Sequence, residues 1–128
     1  MVDPTTPNGS ISTLHALETN LHLDVELTTG EDQLYSKLHG DPQNAPLAPY
    51  MGPNPPPGSP DHKYVQLLFK QPEEDFSIPG KYAHFLPQIP TSRLGFPLEQ
   101  FVNETGLGEP VAGLYFEEGP RQVKFRKF

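Results

Sequence analysis

Seventeen prolines in 128 residues dictate most of what this chain can fold into. A proline fixes φ and lacks a backbone N–H, so it is excluded from helix interiors and from the middle of a sheet. Eight of them, from Pro42 to Pro60, fall within residues 39–60. That stretch is expected to run as one long loop, ordered or not, because neither a regular helix nor a central strand can persist through it. Eleven glycines add to the irregularity, but prolines and glycines are scattered without a period, which argues against a low-complexity coil. Leu, Ile, Val and Phe make up a quarter of the chain, above the composition typical of intrinsic disorder. A single turn-rich domain, residues 1–128, with one core and no internal repeat follows.

Between the punctuation the hydrophobic pattern reads mainly as strand. Leu21, Leu23, Val25 and Leu27 alternate with His22, Asp24, Glu26 and Thr28, the period of an extended segment with one apolar face. A turn is expected at residues 29–32. Residues 64–69 are apolar and β-compatible, expected as a buried strand, and the charged residues 71–75 close it. Pro97, Leu98, Phe101 and Val102, followed by Gly106, have helix spacing with proline early and glycine beyond the end. Residues 111–116 read as a further strand, and residues 80–93 carry no pattern strong enough to assign. The expected fold is mainly β with one short helix and long Pro-rich loops, its function carried at the loop rim.

A net charge of −7 and a pI near 5.1 argue against nucleic acid, whose phosphates are bound through excess Lys and Arg. Four of the nine basic residues crowd into the last eight positions, so residues 117–128 are read as a basic tail, solvated rather than ligand-bearing. The chain has no cysteine, which removes disulfides and thiol chemistry. No stretch approaches the roughly 20 apolar residues of a membrane span, and residues 1–20 lack a basic segment followed by an apolar run. A soluble, cytoplasmic protein without an integral membrane segment is expected.

Five histidines invite a metal reading, but His15, His22, His39, His62 and His84 form no pair at ligand spacing and no thiolate assists them. No metal and no cofactor are expected. The serines lack a Gly-x-Ser-x-Gly elbow, so nucleophilic catalysis ranks below ligand binding.

Five segments, in order, resemble the phosphatidylethanolamine-binding-protein-like family, in forms similar to its fungal members. Residues 1–7, Met-Val-Asp-Pro-Thr-Thr-Pro, look like the signature at the end of a central strand, with Asp3 and Pro7 framing a pocket and Thr5 at a usually acidic position. His15 stands at the place of the pocket histidine, with Thr13 where an aromatic is usual. Residues 50–65 resemble the Gly-Pro-Pro loop followed by His, a basic residue, Tyr and an apolar strand, which puts Pro55, Pro56, His62 and Tyr64 on pocket positions. Residues 96–107 and 110–116 complete the series, with Phe116 where a tyrosine is common.

The resemblance implies a β-sandwich whose opening strands are missing, since family members carry further strands before the Asp-Pro signature. It also implies a small anionic ligand or phospholipid headgroup in a pocket of Asp3, Pro7, His15, Pro55, Pro56, His62, Tyr64 and Phe116. One alternative is an accessory or isomerase- or cyclase-like protein of fungal specialised metabolism, with metal-independent acid–base work by His15 and His62. The other is a protein partner role, as an inhibitor of a protease or carboxypeptidase or as a signalling scaffold.

Overall fold

A computed structural model describes residues 1–3, 12–23, 28–30, 33–35, 37–72 and 76–120. Five strands form one antiparallel sheet. At its centre β1 (Val2–Asp3) pairs with β2 (Ser12–Leu14) on one side. On the other it pairs with a strand of His62–Leu68. Three short pieces intervene in sequence: β3 (His22–Leu23), β4 (Thr28–Gly30) with β5 (Gln33–Tyr35), and β6 (Leu38–His39), so the long strand is β7. β8 (Leu94–Phe96) and β9 (Ala112–Glu118) complete the order β8-β2-β1-β7-β9. The remaining pieces form two small ribbons, β3 with β6 and β4 with β5.

The mainly β architecture stands as expected. Of the alternating run over residues 21–27, His22 and Leu23 form strand, while 24–27 lie outside the described residues. Of the turn expected at 29–32, Thr29 and Gly30 are in strand, paired with Leu34 and Gln33, and 31–32 lie outside the described residues. β7 falls where a buried strand was expected, yet only Tyr64 in it is fully buried. The unassigned stretch holds two 3-10 segments, Gly80–Phe85 and Pro90–Arg93, before β8.

The helix α1 (Leu98–Thr105) follows its sequence signals: Pro97 stands at its N-cap and Gly106 ends it in the left-handed conformation at φ 71°, which glycine adopts without a Cβ clash. One apolar stripe of α1 is buried through Phe101, which meets Tyr82 edge-on at 5.1 Å and Phe96 at 5.2 Å. Phe85 adds an edge contact to Phe96 at 5.3 Å. This aromatic cluster, with Val2, Leu14 and Ala48, is the core, and it covers one face of the sheet at the β2–β8 end.

Strand alternation gives the sheet two different faces. Val2, Leu14, Val65 and Leu67 line a cavity of about 830 Å³ beside the aromatic core, together with Leu17, Leu98 and others. Asp3, His62 and Tyr64 alternate with those residues and stand on the opposite face.

Candidate functional site

The second face is organised around Tyr64. Its neighbour across the strand pair is Phe116, and that register stacks the two rings at 5.3 Å with 20° between their planes. His62, two residues earlier on the same face of β7, stacks at 6.4 Å and 24°. His15 leaves the end of β2 and sets its ring edge-on to Tyr64 at 5.1 Å and 86°. Tyr64 is left 1% exposed. Burial, followed by the charges of Asp3 and Glu118, pushes its hydroxyl up to about 12, with a backbone hydrogen bond from Asn54 acting in the other direction. The phenol is therefore a neutral group throughout the physiological range.

Both imidazoles are held by acceptors, and this decides their tautomers. His62 Nδ1 lies 2.7 Å from Asp3 Oδ2. An ionised carboxylate only accepts, so Nδ1–H donates and Nε2 is the second functional nitrogen. Asp3 is buried, which makes this charge-assisted bond a strong one. His15 Nδ1 lies 2.8 Å from the Met51 carbonyl, and because a carbonyl too can only accept, His15 is likewise an Nδ1–H imidazole. Met51 N–H returns a bond to the His15 carbonyl at 2.8 Å. In each imidazole these bonds commit Nδ1, and Nε2 is an acceptor when the ring is neutral, a donor once it carries a second proton.

The Pro-rich loop follows its own carbonyls. Its own N–H groups close local turns, Asn44 N–H to Asp41 O and Ser59 N–H to Pro56 O at 3.1 Å, and a buried guanidinium ties its Pro49 carbonyl to other segments. Arg93 is 0% exposed and donates from Nε to Pro87 O at 2.8 Å, from Nη1 to Pro49 O at 2.7 Å and His15 O at 3.2 Å, and from Nη2 to Leu86 O at 2.9 Å. Burial holds its pKa below the ordinary arginine value. Hydrogen bonds from an ionised donor contribute about 1.5–3 kcal/mol each, so a set of four offsets much of the desolvation. Sequence reasoning missed this residue. Its signal was an arginine beside Pro87 and Pro90, in a chain whose prolines leave many carbonyls without a partner.

Of the residues singled out in the sequence, the structure brings together Asp3, His15, His62, Tyr64 and Phe116. Pro55 is buried and Pro56 exposed, with Asn54 on the Tyr64 hydroxyl placing their loop at this cluster. Pro7 and residues 121–128 of the basic tail lie outside the described residues. The large cavity is not at this cluster; it belongs to the other face. Among the described residues no three His, Cys, Asp or Glu are grouped as a metal site, and no helix is long and apolar enough to cross a membrane.

Residues 1–116 match the family described as phosphatidylethanolamine-binding protein. A relative from Talaromyces stipitatus, named phomoidride biosynthesis cluster protein N, is 53% identical over 73 residues, which are 57% of this chain and 36% of that protein. A protein of the same name from another fungus is 45% identical over 62 residues, 48% of this chain and 27% of its own length. The chain therefore matches well under half the length of either relative. No solved structure matches it. With the family match running through residues 1–116 of 128, the chain belongs to the phosphatidylethanolamine-binding protein family.

Proposed function

We propose that the chain binds a small anionic ligand of the phosphate type, free or as a headgroup, at the His15–Tyr64–His62 cluster. The observation that carries this reading is the pair of imidazoles whose Nδ1 protons are both committed, to Asp3 and to Met51 O. The remaining nitrogens become donors when protonated, and an approaching anion favours that protonation. Asp3 keeps His62 oriented through its Nδ1 proton. Tyr64 remains neutral beside them and repels no anion.

A second reading rests on the same dyad. A histidine oriented by a buried carboxylate, with Nε2 available, is also the arrangement of a general base or acid, and the fungal relatives carry the name of a biosynthesis cluster. In that reading His62 moves a proton in the metabolism of a specialised product, with His15 as its partner.

Titration of inorganic phosphate, followed through the imidazole resonances, tests the first reading. Saturable shifts at His15 and His62 are expected, with affinity falling as pH rises, because the second proton on each ring is lost. Replacing either histidine by alanine should weaken binding at least tenfold. Affinity that is flat with pH, or unchanged in both variants, would remove the histidines from the mechanism.

A further inference from the structure

We propose that Arg93 is the positioning residue of this site, fixing His15 in its Nδ1–H form and tying the Pro49–Met51 lip to it. The inference deepens the anion reading, on which its ligand arm rests. Three separate segments end on one guanidinium: the His15 carbonyl, the Pro49 carbonyl, and the carbonyls of Leu86 and Pro87. Two of these bracket the contact that matters. Arg93 holds the backbone of His15, and it holds Pro49 two residues before the Met51 carbonyl that receives the His15 ring proton.

The planar fork explains the residue type. Nε and both Nη groups point in fixed directions, so the four carbonyls are held at fixed mutual positions, which a flexible ammonium with three donors cannot reproduce. No carboxylate pairs with Arg93 among the described residues. Among the described residues its charge is met by carbonyl dipoles, and the His15 carbonyl also accepts from Met51 N–H. The arrangement therefore fixes His15 from both ends, ring and backbone. His62 takes its orientation from Asp3 instead, which makes it an internal control.

The test is the tautomer itself, read from imidazole nitrogen shifts of the full chain in Arg93→Gln and Arg93→Lys. In Arg93→Gln, His15 is expected to become a mixture of Nδ1–H and Nε2–H forms while His62 stays Nδ1–H, with Arg93→Lys intermediate. Phosphate affinity should fall five- to tenfold in Arg93→Gln. A folded Arg93→Gln chain with the His15 tautomer unchanged overturns the proposal. If the wild-type chain binds no phosphate, the anion reading falls and the tautomer result still decides the role of Arg93. Should both variants fail to fold, exchange of the His15 Nδ1 proton and the Arg93 Nε proton is compared in the wild-type chain under mild urea. The two are expected to open together, and a His15 proton that exchanges well before Arg93 overturns the proposal.

Discussion

The two faces of one five-stranded sheet solve burial in opposite ways. On the Tyr64 face a few residues are closed tightly: three rings pack on one phenol, a carboxylate pairs with a histidine, and a loop is tied down. On the Val65 face the aromatic core covers the β2–β8 end, while Val65 and Leu67 line a cavity of about 830 Å³. At its margin Leu23 is 66% exposed. Polar groups with specific partners complete their own site, whereas apolar surface is indifferent to what covers it and needs only area. Among the described residues the first face is closed by its own partners and the second is covered only in part.

The largest effect expected from this contrast is on stability. Tyr64→Ala removes a ring packed by His15, His62 and Phe116, and aromatic truncations in packed sites cost about 3–5 kcal/mol. Leu67→Ala, half-buried beside open space, should cost about 1 kcal/mol. Urea melts of the two variants make the comparison, and equal losses would show that the Leu67 side is packed in solution.

A smaller effect concerns the bare face itself. The 128-residue chain is expected to bind a hydrophobic dye and to melt with poor cooperativity. Leu23→Glu with Leu38→Glu should remove most dye fluorescence while shifting stability by only about 0.5 kcal/mol per site, since both leucines are exposed. A cooperative melt without dye binding would show that the face closes unaided.

The smallest effect lies at the surface of the core end. Glu104 accepts from Lys81 at 2.5 Å, from Tyr82 at 2.6 Å and from Gln100 at 2.9 Å. Those bonds, that of Lys81 foremost, lower its pKa to about 2. A carboxylate depressed in the folded state stabilises fully above its unfolded value, near 4.3, and that contribution is lost as pH falls through about 2. Glu104→Gln should therefore flatten the acid limb of the stability curve between those values by lowering neutral stability slightly, while stability near pH 2 stays little changed. An unchanged acid limb would mean the network is open in solution.

Local chemistry was legible from the residues alone. Pro97 and Gly106 bound α1, the β-rich runs at 64–69 and 111–116 became β7 and β9, and the prolines of 39–60 kept that stretch a loop after β6. These outcomes depend on φ restrictions and on periodicity, which act within a few residues. The order of short segments likewise pointed to the family. The 3-10 segments at 80–93 left no mark, because such turns follow from packing rather than from a hydrophobic period. Only the tertiary structure decided that Asp3 reaches His62 across 59 positions and that Arg93 reaches His15 across 78. Strand register sets such partners, and register is fixed by the whole sheet. The division of the sheet into one closed face and one open face has the same origin: each residue's side follows from alternation, but what stands opposite it depends on elements distant in sequence.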